Sequence, residues 1–479
     1  MIEYEASIGL EVHIQLKTKT KMFCSCRNIY GSQPNTEVCP ICLGMPGVLP
    51  MANRQAISYA LKLAIAAESK INKASAFCRK NYFYPDLPKG YQISQYHMPL
   101  AAGGELMAKD SSGEEKTIRL KDIHLEEEAG KLVHDPDNNV SMVDFNRCGI
   151  PLIELVTEPE IKNGQEAYTF LYGVKRLVEY LDICTGNMEE GAIRCDVNVS
   201  VRDKRRSDIG TRREIKNLNS FKFAEKAINY EINQQIDTLK SGNGISQETL
   251  TWDEKENVTK IIRTKEESED YRYFAEPDLP PLSLTSQLLD EIKADMPELP
   301  DKKYRRFIDF YHIPARDVET LISKKELADY YEAVAQISGN PKLSANWLIT
   351  ELLHELKDKD ISQLNLKAKD LADLIKMVSS GKISYKTARD IFPKLIHDGK
   401  TAAKLIEQNG LRQISDETKL KNIIAQILDY NKSMVKLYIE GKDEVFHYFV
   451  GQVMKETGGR ANPEIVNRLL REALDRLRG

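Results

Sequence analysis

Residues 7–16 read Ser7-Ile-Gly-Leu-Glu-Val-His-Ile-Gln-Leu16, and their alternation decides how the first half of the chain folds. Ile8, Leu10, Val12, Ile14 and Leu16 recur with period two, and Gly9, Glu11, His13 and Gln15 fill the positions between. That is the pattern of a half-buried β-strand. An ordinary solvent face would carry Lys, Thr or Ser, whereas this one carries a carboxylate and an imidazole. The pattern recurs. Residues 194–201 set Val197, Val199 and Val201 against Asp196, Asn198 and Ser200. Residues 141–146 and 213–217 repeat it more briefly, with Asp144 and Asn146, then Glu214 and Lys216, on a polar face. Strands that pool these side chains would make an acidic floor suited to a hard cation such as Mg²⁺ and, through it, a polyphosphate. The alternative is an antiparallel sheet with one wetted face.

A chain of 479 residues has room for several domains and a full core. Its 41% hydrophobic and 29% charged residues describe a globular protein and exclude a disordered one. No apolar run approaches the roughly 18–20 residues needed to span a bilayer. The N-terminal Met-Ile-Glu-Tyr-Glu lacks the basic and apolar regions of a signal peptide, so the expected location is cytoplasmic, without membrane attachment. At a net charge of −4, any nucleic-acid contact must rest on a local basic surface.

The eight cysteines are unevenly spread, and four of them, Cys24, Cys26, Cys39 and Cys42, lie within one short segment. In a cytosolic chain such clustering speaks for metal rather than disulfides. Two close thiolate pairs, the second on a turn closed by Gly44, supply the ligands of a structural zinc site with no open position for catalysis.

Helical spacing begins after Asn53. The stretch from Arg79 to Gln95 carries two prolines, a glycine and four aromatics, too punctuated for either regular element. Its Tyr82, Tyr84 and Tyr91, with Lys80 and Lys89, suit a stacked base, or equally an ordered surface loop. Amphipathic helices are expected from Gln165 to about Asp182 and, with Asn219 as N-cap, to about Lys240. From about residue 297 the spacing is helical throughout, and a further boundary is expected near Gly410. The expected domains are therefore 1–296, 297–410 and 411–479. The last has a local charge of +2, and Arg468, Arg471, Arg476 and Arg478 stud its final helix behind Asn462-Pro463. No P-loop or Rossmann glycine motif is present, and no cysteine outside the cluster has an evident histidine partner.

Six motifs carry a resemblance. Ile-Gly-Leu-Glu-Val-His (8–13), Arg-Lys-Asn-Tyr-Phe-Tyr-Pro-Asp (79–86) and Asn-Arg-Cys-Gly-Ile-Pro-Leu-Ile-Glu (146–154) are the first three. Met-Glu-Glu-Gly-Ala-Ile-Arg-Cys-Asp (188–196), Lys-Asn-Leu-Asn-Ser (216–220) and Asp-Tyr-Arg-Tyr-Phe (270–274) follow in order. Together they resemble the B subunit of tRNA-dependent aspartyl/glutamyl amidotransferases, the GatB family, and Gly451-Gln-Val-Met-Lys with Ala461-Asn-Pro is similar to its YqeY-like tail. The resemblance implies an α+β fold: a β-sheet cradle with flanking helices, a helical middle domain and a small helical tail that binds tRNA. It implies a ligase that uses ATP and Mg²⁺ to activate the side-chain carboxylate of Asp-tRNA(Asn) or Glu-tRNA(Gln), within a heterotrimer. In it an amidase subunit (GatA) frees ammonia from glutamine, alongside a small subunit (GatC).

By motif, the resemblance places Glu11, His13, Glu127, Glu154 and Asp196 at the metal and phosphoryl-transfer site, with Lys80 nearby. Glu128 stands where the family more often has Asp, so which of Glu126, Glu127 and Glu128 faces the metal stays open. The cysteines occur in only part of the family. Other readings of the same residues are a zinc-stabilised RNA-binding module without catalysis and a two-metal nuclease.

Overall fold

The computed structural model describes residues 3–478 except 136, 219, 265–270, 358, 409–413 and 415. The chain forms two compact units, residues 1–299 and 300–479, and the fold is α+β. The expected boundary near Gly410 and the expected N-cap Asn219 lie outside the described residues.

The first unit is built on a mixed sheet with ten strands among the described residues. Five form its centre: β1 (Tyr4–Gln15), β2 (Glu115–Glu127), β3 (Pro151–Thr157), β4 (Ile193–Asp203) and β5 (Arg213–Lys216). Their spatial order is β5-β4-β1-β3-β2, and every neighbouring pair among them is antiparallel. Outside β5 the strand Glu248–Asp253 pairs parallel to it, which makes the sheet mixed.

Alternation sorts the side chains of these strands onto two faces. Ile8, Leu10, Val12 and Ile14 of β1, Ile123 and Leu125 of β2, Ile153 and Leu155 of β3 and Val197 and Val199 of β4 are all buried in one core. Helices α1 (Arg54–Ala66), α2 (Gly164–Tyr180) and α3 (Phe221–Lys240) supply the rest of that core through residues such as Leu61, Phe170, Val174 and Ile228. Each begins at a side-chain cap: Asn53 accepts from Gln55 N, Asn163 from Glu166 N and Ser220 from Phe223 N. With helices on the apolar face, the polar face of the central strands stays open. That is what positions the site.

Two expectations are corrected. Residues 141–146 do not join this sheet. Among the described residues, Val140–Asp144 pairs only with Lys131–Asp135, in a separate two-stranded sheet. Asp144 and Asn146 serve the cysteine loop instead: Asp144 Oδ1 accepts from Asn35 N at 3.1 Å, and Asn146 Oδ1 from Glu37 N at 2.8 Å. The punctuated stretch 79–95 is also more regular than its prolines suggest, because Cys78–Asn81 and Tyr91–Ser94 pair as an antiparallel hairpin. The prolines fall in the connection, where no ladder hydrogen bond is lost.

The second unit is helical. Pro300–Asp309, Lys325–Ser338, Ala368–Ser379 and Tyr385–Asp398 are among its helices, and Trp347 is fully buried against Tyr385 and Phe392. Near the C-terminus, Leu420, Ile424, Phe449, Val453, Val466 and Leu470 close a hydrophobic cluster of their own. Pro463 opens the last helix, Pro463–Arg478, behind the Asn462 side chain, which accepts from Glu464 N at 3.0 Å. No described helix is long and apolar enough to cross a membrane.

Candidate functional site

Strand register brings the polar side chains into rows. His13 of β1 lies opposite Glu154 of β3 and Arg194 of β4, and Glu154 lies opposite His124 of β2. One step along, Glu11 faces Asp196. A step the other way places Glu126 opposite Leu152 and Leu152 opposite Gln15. The floor expected from alternation is therefore assembled from β1, β2, β3, β4 and β5.

Two groups of ligand-bearing side chains lie on it, each with ligand atoms within 4.8 Å of one another. In the first, His13 Nε2 stands 3.5 Å from both Glu126 Oε1 and Glu154 Oε2. The second comprises Glu11, Asp196 and Glu214. It already holds a cation: Lys216 Nζ lies 2.7 Å from Asp196 Oδ2 and 3.0 Å from Glu214 Oε1, and Asn198 donates to Glu11 Oε1 at 2.9 Å. The first group holds no Lys or Arg ion pair among the described residues, and Glu154 Oε1 has no protein partner there. Oxygen donors with one imidazole suit Mg²⁺ or Mn²⁺.

The charges are interlocked. Burial pushes His13 down, but the hydrogen bond and charge of Glu154, with the charge of Glu126, hold its pKa up at about 9. His124 behaves likewise and is held up at about 10, by Glu154 and Asp122 against burial. Burial works to raise Glu154, yet the two imidazoles keep it well below the usual carboxylate range. Burial and the neighbouring Glu154 charge raise Glu126, and the same two causes raise Glu11.

A chamber of about 300 Å³ opens beside the first group, lined by its His13 and Glu126 but not by Glu154, and by Glu128, Arg194, Asp196 and Lys80 among others. Glu128 is paired with Arg194 and accepts from Gln15 Nε2 at 3.4 Å. Lys80 enters from the Cys78–Asn81 strand, its Nζ 4.9 Å from the ring centre of Tyr271 and 5.9 Å from that of Tyr82.

Glu127 is not brought to this face. With Ile123 and Leu125 turned into the core, strand alternation turns Glu127 inward too and leaves Glu126 and Glu128 outward. Its Oε1 accepts from Ile93 N at 2.9 Å and pairs with the buried Lys89 ammonium. The expectation that Glu127 stands with Glu11 and Asp196 is thus corrected: Glu127 points away from that face, and the neighbouring Glu126 groups with His13 and Glu154. Sequence reasoning also missed Asp122 and His124, although Asp122-Ile-His-Leu-Glu carries the same period-two signal as β1.

Apart from the floor, Cys24, Cys26, Cys39 and Cys42 converge, with sulfur atoms within 4.8 Å of one another and Cys39 and Cys42 3.9 Å apart. Four sulfurs at about 2.3 Å from a tetrahedral ion would be about 3.8 Å apart, so the cluster is compatible with a structural metal. Gly44 has φ +65°, and a Cβ there would collide with Lys89, which is why the turn after Cys42 takes glycine.

With this geometry in hand, two family models match: a GatB/GatE catalytic domain over residues 6–290 and a GatB domain over residues 329–474. The chain belongs to the GatB family. Full-length relatives agree with it. The chain is 47% identical over 473 residues to the aspartyl/glutamyl-tRNA(Asn/Gln) amidotransferase B subunit of Thermodesulfovibrio yellowstonii, covering 98% of this chain and 99% of the relative. It is 47% identical over 482 residues to the like-named protein of Carboxydothermus hydrogenoformans, with all of both chains covered. To that of Thermotoga maritima it is 45% identical over 481 residues, 99% of this chain and 100% of the relative. In this GatB-family chain, the catalytic-domain match takes in the whole polar floor and the four cysteines.

Proposed function

We propose that the polar face of the sheet is where the side-chain carboxylate of Asp-tRNA(Asn) or Glu-tRNA(Gln) is activated by ATP and amidated. The observation that carries this is the His13, Glu126 and Glu154 group, whose His13 and Glu126 line a chamber that also receives Lys80. In the reaction, a carboxylate oxygen attacks the γ-phosphorus and ADP leaves. Ammonia then attacks the acyl carbon and inorganic phosphate leaves. A carboxylate is a poor acyl donor because it has no leaving group, and phosphorylation gives it one.

The donor set fits Mg²⁺: His13, Glu126 and Glu154 each offer a ligand atom within 4.8 Å of the others, without an ion-paired lysine among them. His13, Glu126 and Glu154 would hold the ion, while Glu11 and Asp196 form the adjoining group in which Lys216 already sits. The chemistry a bound Mg²⁺ supplies is charge screening where carboxylate and γ-phosphate, both anionic, must meet. Lys80 and Arg194 give the chamber its cations, and Lys80 is the one held by aromatic rings rather than by a carboxylate. That leaves Lys80 to orient the substrate carboxylate or a phosphate oxygen.

Zn²⁺ would occupy the four-cysteine cluster as a purely structural ion. The tail would bind tRNA without taking part in the chemistry. The remaining partners in this reading are an amidase subunit that delivers ammonia and a small third subunit, in a cytoplasmic heterotrimer.

The test is to reconstitute the complex with Glu126→Gln, supply free ammonia, and follow ATP-dependent amidation of charged tRNA. Near wild-type amidation would leave the floor as a wetted sheet face and favour an RNA-binding module without catalysis.

A further inference from the structure

Glu154 is held from one side only. His124 Nε2 and His13 Nε2 both approach its Oε2, at 3.2 and 3.5 Å, while Oε1 has no protein partner among the described residues. His124 is itself fixed at its other ring nitrogen, where Nδ1 lies 2.8 Å from Asp122 Oδ1. It stands directly across from Glu154 in the β2–β3 register, with only 12% of its side chain exposed. Neither His124 nor Glu154 lines the chamber, whose wall is made by His13 and Glu126 of the same group. A ring clamped between two carboxylates cannot turn without losing one of them, so the Glu154 carboxylate cannot turn freely either.

We propose that His124 is a positioning residue: anchored by Asp122, it sets the Glu154 carboxylate so that Oε1 is presented to a divalent cation shared with His13 and Glu126. The proposal rests on the reading of that group as a cation site. The competing account is that His124 merely satisfies a buried carboxylate, in which case its loss would lower stability and leave cation binding alone. Groups that orient metal ligands from behind typically change affinity by about 10–100-fold.

The experiment titrates Mn²⁺ alone into the full-length chain, follows free Mn²⁺ by electron paramagnetic resonance, and records a thermal melt of each variant. His124→Leu removes both hydrogen bonds at similar volume, and His124→Gln restores an N–H donor toward Glu154. Asp122→Asn alters only the anchor, and Glu154→Gln removes the ligand. The expected result is a Kd for Mn²⁺ raised about 10–100-fold in folded His124→Leu, largely recovered in His124→Gln, and raised in Asp122→Asn. Wild-type affinity in His124→Leu with weakened binding in Glu154→Gln would overturn the role of His124 and leave the cation site standing. Wild-type affinity in Glu154→Gln would overturn the cation site itself. Should His124→Leu not fold, Asp122→Asn decides: weakened binding supports the proposal and unchanged binding overturns it.

Discussion

Lys21 Nζ lies 3.8 Å from Cys42 Sγ on a side chain with no solvent exposure, and its other hydrogen bond is to the Glu37 carbonyl at 2.7 Å. No carboxylate lies within ion-pair distance of it among the described residues. A buried ammonium needs an anionic neighbour, and the cysteine cluster is the group placed to provide one. Hydrogen bonds from Cys24 and Cys39, with the Lys21 charge, hold the Cys42 thiol down at about 5 against burial, and four thiolates around Zn²⁺ would carry a larger net negative charge.

The first prediction follows from that pair. Cys39→Ser with Cys42→Ser should release about one zinc per chain and lower the melting temperature. Lys21→Met, which keeps length but removes the charge, should speed zinc extraction by a chelator and cost about 3–5 kcal/mol, the scale for breaking a buried ion pair. Metal analysis and thermal melts check both. A wild-type protein that is metal-free and melts unchanged after chelation would contradict the assignment.

Glu126 and Glu127 are adjacent yet should behave oppositely. Glu126→Gln removes a charge that burial and Glu154 already disfavour, so stability should change little or rise. Ammonia-driven amidation should fall about a hundredfold or more, since several kcal/mol of barrier are at stake. Glu127→Gln leaves the Lys89 ammonium buried without its partner and should cost stability on the scale of a broken buried pair, about 3–5 kcal/mol. Melts and amidation rates on the same two proteins separate the cases. The reverse pattern would return Glu127 to the site.

This pair also marks how far the sequence could be read. The alternation in β1 and β4 was legible because each outward residue has an unmistakable inward neighbour, and the resulting Glu11, His13 and Asp196 do share one face. At Glu126-Glu127-Glu128 three acids in a row hide the period, and only Ile123 and Leu125 upstream reveal which of them points inward. Residues 141–146 show the opposite difficulty. Their alternation is genuine, but period two reports that a strand has two faces and not which sheet it joins. Lys216 between Asp196 and Glu214 was beyond reach, because cross-strand pairing depends on register.

The imidazoles predict a pH dependence for the metal-free protein. His13 and His124 have pKa values of about 9 and about 10 in the fold, against about 6.5 when unfolded. A raised folded pKa means that the fold binds the proton more tightly. The stabilisation is therefore complete below about pH 6.5 and is lost as pH rises through 9 to 10. Melting temperatures in chelator should fall over that window, and less steeply for His124→Gln. Added Mg²⁺ should oppose the fall, because a ligating His13 must be neutral and binding releases its proton. A flat profile in chelator would contradict the ion pairing seen around Glu154.

The tail has the last test. Its arginines are less available than their sequence suggests. Arg468 pairs with Glu417 and with Glu472 at 3.1 Å, Arg478 with Asp443 at 3.1 Å, and Arg471 lies over the Phe446 ring at 5.3 Å. Pairing of exposed charges is worth little, so phosphates can compete for the same groups. The cluster around Leu420, Phe449 and Leu470 is closed within the tail, so ending the chain at residue 408 should leave the sheet and its chamber intact. Such a truncation should keep ammonia-driven amidation at saturating charged tRNA and raise the KM for that tRNA. The wild-type KM should climb more steeply with salt than the truncated one, because each lost phosphate contact removes about 0.9 from the slope of log K against log salt on a duplex. Steady-state amidation at several salt concentrations measures both quantities. If KM and its salt dependence are the same with and without residues 409–479, the tail does not hold tRNA.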